Sequence, residues 1–282
     1  MARVTLILPW SGARPGYWRE RMESAARVTN NTVEFRVATV ERSLGDFKAL
    51  VERRLGTEVN LTRAYKLCDL KPMYGALFPD EIAGSDYWAF GDCDVVYGPG
   101  FAGWLARVTA LGCDVATVQT EYCAGPLTLV RNCAKMNRFF ERAAGWREML
   151  RDHHMCTFDE LGFNWFRRWL YGGESWDELR ARGDSWSAAV WRAAGEGEIR
   201  LVAEEVIDES ATRPDWAGGE RAANVNRPAV MWHRINEKNR GLRRLLGRLA
   251  RGDRASWLRL GEFVARNLRL PGWWRKTPWN NR

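Results

Sequence analysis

The stretch Tyr87-Trp88-Ala89-Phe90-Gly91-Asp92-Cys93-Asp94-Val95-Val96-Tyr97-Gly98 limits this chain more than any other. An aromatic run that reads as a buried strand leads into two aspartates one residue apart, and a second apolar run closes on Gly98. At a strand end, Asp92 and Asp94 leave the sheet together at its carboxyl edge, where open α/β sheets bind ligands. Two carboxylates this close repel each other unless a cation or a hydrogen-bond network offsets the charge. Hard oxygen ligands favour Mg²⁺ or Mn²⁺, ions often shared with a substrate diphosphate. Aspartate is also at home in turns, so a plain turn is the competing reading.

The rest of the chain supplies the sheet that such a strand needs. Residues 4–8 form a short apolar β-rich run ended by Pro9, followed by the turn-like Ser11-Gly12-Ala13-Arg14-Pro15-Gly16 and a helix over about 18–28. Residues 33–40 alternate as a second strand, and 44–55 carry Phe47, Leu50, Val51 and Leu55 at helical spacing, with Gly56 as a stop. A helix interrupted by Pro72 is expected over 65–78, another helix over 101–111, and strands over 114–118 and 127–130. Asn132 is expected to cap a helix whose apolar face is Met136, Phe139, Phe140 and Ala143. Alternating strands and helices through about residue 145 predict a mixed or parallel α/β sheet. Beyond it, residues 163–170 read as an aromatic helix, 199–207 as a strand, and 229–232 as a short strand leading to His233.

Length and composition narrow the function classes. A chain of 282 residues can bury a substantial core. No apolar run approaches the roughly 18 residues that span a bilayer. The start of the chain lacks the pattern of a signal peptide, and six scattered cysteines show no paired zinc spacing, so a reducing cytoplasm is the expected setting. The net charge of +8 belongs to the end of the chain: from Arg240 to Arg282, twelve Arg and Lys stand against Asp253 and Glu262. The remainder is slightly acidic, which argues against nucleic acid as a partner.

Two segments, Tyr65-Lys66-Leu67-Cys68-Asp69-Leu70-Lys71-Pro72-Met73-Tyr74-Gly75 and Phe90-Gly91-Asp92-Cys93-Asp94-Val95-Val96-Tyr97-Gly98, resemble a family of bacterial glycosyltransferase-like proteins associated with capsule and surface-polysaccharide synthesis. Leu6-Ile7-Leu8-Pro9-Trp10, Gly125-Pro126-Leu127-Thr128-Leu129-Val130-Arg131-Asn132 and Phe158-Asp159-Glu160 are similar to the same family, in the same order. The resemblance implies a GT-A type nucleotide-sugar-binding fold, a mixed sheet flanked by helices with its D-x-D at a strand end. It implies that Asp92 and Asp94 hold Mn²⁺ or Mg²⁺ on the donor diphosphate, with a UDP-sugar as the first expectation. It also implies that Pro9 and Trp10 meet the nucleoside, and that Lys66, Asp69 and Lys71 meet donor ribose and phosphate. Asp159 and Glu160 are the candidates for a catalytic base, though either would also serve to cap the following helix. A late histidine acts as a third metal ligand in several such enzymes, which points to His233. His153 and His154 sit in an expected loop and are equally readable as solvated.

A domain over residues 1–238 and a basic, Trp-rich helical tail over 239–282 are expected. In the tail, Leu242, Leu245, Leu246 and Leu249 recur at helical spacing among arginines, and Trp273, Trp274 and Trp279 follow. Such a segment suits an anionic membrane surface and a glycan or lipid-linked acceptor, or else packs on the domain. The expectation is therefore a metal-dependent glycosyltransferase, cytoplasmic or peripheral at the inner membrane face. Its rivals are a non-catalytic binding or assembly module on the same fold and a sugar nucleotidyltransferase.

Overall fold

The computed structural model describes residues 1–208 and 231–233. The expected boundary at residue 238 and the tail beyond it lie outside the described residues.

A six-stranded mixed sheet forms the centre. In chain order its strands are β1 (Ala2–Trp10), β2 (Val33–Glu41), β3 (Tyr87–Gly91), then, after a short strand β4 (Val95–Tyr97) that leaves this sheet, β5 (Val115–Thr117), β6 (Leu127–Arg131) and β7 (Leu201–Ala203). Their spatial order is β2-β1-β3-β6-β5-β7. β1 pairs in parallel with both β2 and β3, whereas β6 runs antiparallel to β3 and to β5. Pro9 pairs with Val40 of β2 but lies beyond Ile7, the last residue of β1 paired to β3, so its missing N–H leaves that ladder intact. The chain departs from β1 to one side for β2 and returns on the other for β3. This reversal opens a crevice at the carboxyl ends of β1 and β3.

Side chains alternate along the strands and feed two cores. Ile7, Trp88 and Phe90 face one way, while Leu6, Leu8, Tyr87 and Ala89 face the other. Helices α1 (Trp18–Ala26) and, later, α4 (Phe101–Ala110) cover the second face with Trp18, Phe101 and Trp104. The first face receives α2 (Leu44–Leu55), which buries Phe47, Leu50, Val51 and Leu55 as the spacing requires. Ser43 accepts the N–H of Asp46 at its start, and Gly56 at φ +64° closes it.

Residues 64–78 differ from the expected kinked helix. Ala64–Met73 is a ten-residue 3₁₀ helix that passes into a single turn, α3 (Tyr74–Leu77). Pro72 has no N–H to donate and its ring crowds the carbonyl four residues back, so an α ladder does not run through it. Three residues per turn stack Lys66 over Asp69, which matters below. Asn132 is also not a cap. Its amide donates to the carbonyls of Ile82 and Ser85, and the short helix α5 (Ala134–Asn137) begins after Cys133. The apolar set Met136, Phe139, Phe140 and Ala143 is nonetheless buried.

After α6 (Trp146–Arg151) come α7 (Trp165–Gly172), α8 (Trp176–Ala181) and α9 (Trp186–Gly195), the last two falling where sequence reading found mainly loops. Ser175 and Ser185 cap α8 and α9 by accepting backbone N–H groups three residues on. A second sheet, in the order β4-β9-β8, combines β4 with β8 (Ile207–Asp208) and β9 (Met231–His233). Val95 pairs with His233 there, so a residue late in the chain is brought next to Asp94.

At Gly91 a Cβ would sit 2.7 Å from the carbonyl oxygen of Pro126, a backbone atom with little room to give. Gly91→Ala is expected to destabilise the fold by about 1–3 kcal/mol. Gly103, exposed within α4, has nothing within 4 Å of that position, and Gly103→Ala is expected to stabilise by about 0.5–1 kcal/mol. Urea unfolding of the two variants checks the opposite signs.

Candidate active site

The turn between β3 and β4 carries Asp92 and Asp94 out of the sheet at its carboxyl edge. Asp94 is buried and Asp92 partly so. His233 Nε2 lies 3.5 Å from Asp94 Oδ1 and 3.8 Å from Asp92 Oδ2. One ligand atom from each of the three falls within 4.8 Å of the others. Two carboxylates and an imidazole at this spacing form a donor set that a divalent cation fits, and the crowded negative charge is what such an ion would relieve. Below the turn, Arg21 of α1 is buried, with Nε 3.4 Å from Asp92 O and Nη2 3.4 Å from Tyr97 Oη. The sequence offered no reason to single out Arg21, because nothing in a helical arginine announces burial.

A second group of charges stands beside the first, and Lys71 joins them. Its ammonium, 6% exposed, donates to Asp92 Oδ1 at 2.8 Å and to Gly125 O at 3.0 Å, and it lies 3.2 Å from Asp159 Oδ2. Burial alone would depress the lysine pKa, but Asp92 and Asp159 together carry it well above the usual range. Burial raises the Asp159 carboxyl, with Lys71 pulling it back toward ionisation. Glu160 is raised too, first by desolvation and then by the neighbouring Asp159, and Lys71 opposes both. Glu160 Oε2 accepts the indole N–H of Trp165 at 2.8 Å. Two adjacent acids are therefore driven apart in character, one ion-paired and one favouring its proton.

Gly125 is the floor of this group. A Cβ there would lie 2.9 Å from Lys71 Nζ and 3.2 Å from both Asp159 Oδ2 and Glu160 Oε1, so the three side chains converge over a residue that has none. The helix-cap reading of Asp159 and Glu160 does not apply, since α7 begins after Asn164, at φ +60°.

The structure places the other candidate residues differently. Pro9 and Trp10 end β1 across the crevice, both partly exposed, with the Trp10 ring edge-on to Trp18 at 5.0 Å. Lys66 and Asp69, expected to meet donor ribose and phosphate, are 1% and 0% exposed and paired to each other at 2.9 Å. Their polar atoms address backbone groups of residues 149–158, so at these positions the expectation is corrected: they lie beneath the site. The 3₁₀ stacking of residue 66 on residue 69 turns both inward, while Lys71 points to the crevice. His153 and His154 are grouped with Asp152, apart from the Asp92 group.

The model of a protein family described as "Family of unknown function (DUF6625)" matches residues 6–175. No curated protein sequence matches the chain. Among solved structures, mouse xyloside xylosyltransferase 1 in its apo form is similar with a TM-score of 0.41 at 8% identity, over 83% of this chain and 98% of that one. The galactosyltransferase LgtC in complex with donor and acceptor sugar analogs is similar with a TM-score of 0.34 at 11% identity, over 82% of this chain and 87% of the other. The family match takes in Lys71, Asp92, Asp94, Asp159 and Glu160, and on its extent the chain belongs to this family of unknown function, DUF6625.

Proposed function

We propose that this protein is a metal-dependent glycosyltransferase that moves a sugar from a nucleotide donor to a surface glycan or lipid-linked acceptor. The observation that carries the reading is the meeting of Asp92, Asp94 and His233 within 4.8 Å at the carboxyl end of β3. A mixed carboxylate and imidazole set suits Mn²⁺ better than Mg²⁺, which prefers oxygen throughout. When bound, such a cation supplies Lewis-acid stabilisation of the charge gathering on the β-phosphate as the nucleoside diphosphate leaves.

The chain's own residues do the rest. Pro9 and Trp10 offer the nucleoside an apolar wall across the crevice, with UDP as the first nucleotide expected. Lys71 holds Asp92 in place and adds fixed positive charge where the diphosphate would lie. Asp159 stays ionised as the partner of Lys71. Glu160 has one carboxylate oxygen held by Trp165, and its Oε1 would take the proton of the acceptor hydroxyl. That hydroxyl oxygen bonds to the anomeric carbon as the bond to the diphosphate breaks. A base poised nearer neutrality than an ordinary glutamate suits this step. In this reading residues 240–282 meet an anionic membrane surface at the cytoplasmic face, near a lipid-linked acceptor.

Calorimetric titration of UDP, GDP and CMP with and without Mn²⁺ tests the donor site. One nucleotide is expected to bind only with the metal, and Asp94→Asn is expected to weaken it by at least about 30-fold, on the order of 2 kcal/mol. Folded wild-type protein that binds none of them would sink the transferase reading. Metal-dependent binding without release of nucleoside diphosphate in the presence of any sugar donor would favour the non-catalytic module.

The pH dependence of stability gives a second test. Glu160 has a raised pKa in the folded state, so the folded protein holds the proton more tightly than the unfolded chain. Stability is then lost as pH climbs from the ordinary glutamate value, about 4.3, through the raised one. Glu160→Gln has no proton to lose there. Relative to wild type it is expected to gain about 1.4 kcal/mol for each pH unit, up to about 4 kcal/mol, between about pH 5 and about pH 8. Denaturant unfolding across that range measures it, and parallel curves for the two proteins would contradict the assignment.

A further inference from the structure

Lys66 and Asp69 leave a question open: a fully buried ion pair sits directly under the site yet cannot reach it. Asp69 Oδ2 accepts the backbone N–H of Cys156 at 2.7 Å, and Oδ1 accepts that of Phe158 at 3.1 Å. Lys66 Nζ pairs with Asp69 and donates to the carbonyls of Met149 and His154, each at 2.7 Å. The carboxylate therefore grips the N–H groups on both sides of Thr157. That residue has φ +49°, a left-handed conformation that a β-branched side chain adopts only under constraint. Immediately after it the chain delivers Asp159 and Glu160.

The far side of the same turn is held as well. Trp186 donates its backbone N–H to Phe158 O at 2.9 Å, and Ser187 Oγ donates to Asp159 O at 2.8 Å while accepting the N–H of Cys123. The N–H groups of Glu160 and Gly162 both reach back to Thr157 O at 3.1 Å. The 3₁₀ helix thus clamps the turn from one side and the start of α9 from the other. Of these holds, the Asp69 carboxylate is the ionised one, and charge-assisted bonds are the stronger kind.

We propose that Asp69, fixed by Lys66, is a positioning residue that holds the strained turn at Thr157 and so sets where Asp159 and Glu160 stand against Lys71. It touches neither donor nor acceptor. The inference rests on the transferase reading for its functional consequence, while its structural content is measurable without any activity. Asp69→Asn keeps the shape but replaces one accepting oxygen with an amide that cannot accept an N–H.

In Asp69→Asn, Mn²⁺-dependent nucleotide binding is expected to stay within about twofold of wild type, because Asp92, Asp94 and His233 are untouched. The rate of nucleoside diphosphate release from sugar donor plus acceptor is expected to fall by about 10- to 100-fold. The Glu160 carboxyl, faced by Asp159, Lys71, Asp92 and the Trp165 indole, is expected to titrate about one pH unit or more lower as the turn loosens toward solvent, read by carboxyl-carbon NMR. Thr157→Gly in the Asp69→Asn background removes the conformational strain, together with the Thr157 Oγ1 bonds to the carbonyls of Cys156 and Gly162, and is expected to recover at least about threefold of the lost rate. That double variant also serves if Asp69→Asn alone does not fold. Nucleotide binding weakened as much as by Asp94→Asn would overturn the proposal by placing Asp69 in the donor site. An unchanged rate with an unchanged Glu160 titration would overturn it as well. If wild-type protein binds no nucleotide, the transferase reading fails by itself, and amide hydrogen exchange at Cys156 and Phe158 still decides whether Asp69 positions the turn, unchanged protection in Asp69→Asn overturning it.

Discussion

The ammonium of Lys71 is the contact on which the arrangement depends. It lies between Asp92, which belongs to the turn after β3, and Asp159, which belongs to a turn nearly seventy residues later. Without that cation, Asp159 would be a buried charge facing two other carboxylates. Removing one member of a buried ion pair typically costs about 3–5 kcal/mol because the remaining charge is left uncompensated. The same contact divides the labour among the acids. It holds Asp159 toward ionisation and leaves Glu160, pressed by its neighbour and by burial, as the group that keeps its proton longer. Carboxylates gathered this closely, one of them with a raised pKa, need such an internal counter-ion.

The sheet explains why these groups meet where they do. Parallel pairing of β1 with both β2 and β3 puts the carboxyl ends of β1 and β3 at one edge, with a crevice between them. Antiparallel β6 then brings Gly125 and Pro126 to the same edge, since its first residue pairs with the last residue of β3. At Gly91 the backbone of Pro126 comes too close for any side chain, and at Gly125 the three charged groups come too close for one. The second sheet adds His233 by pairing β9 with β4, so the group of Asp92, Asp94 and His233 is completed from outside the main sheet. Three separate backbone pairings therefore converge on a volume that the 3₁₀ helix supports from beneath.

Much of this was legible from the residues. Burial of β3 on both faces, the departure of Asp92 and Asp94 at its end, and the apolar face of α2 all follow from local pattern, because a strand or helix buries the side chains its own period dictates. Helices α8 and α9 were not legible. Gly183 between them and Gly195 at the end of α9 read as loop punctuation, while the serine caps that start them gain meaning only once the helix exists. The pairing of Asp69 with backbone N–H groups was equally hidden, since an aspartate in a lysine-rich segment looks the same whether it meets a ligand or a turn.

The sequence by itself determined the class of sheet, the strand that ends in two carboxylates, and the residue types able to hold a divalent cation. Only the tertiary structure decided the roles of the three charged residues of the 3₁₀ helix. It turned Lys66 and Asp69 toward the turn at Thr157, which they clamp, and it aimed the equally buried Lys71 between Asp92 and Asp159. The physical reason is that periodicity reports which side chains share a face of their own element. Which charges face one another across elements depends on how the elements pack, and electrostatic energies change steeply over those few ångströms.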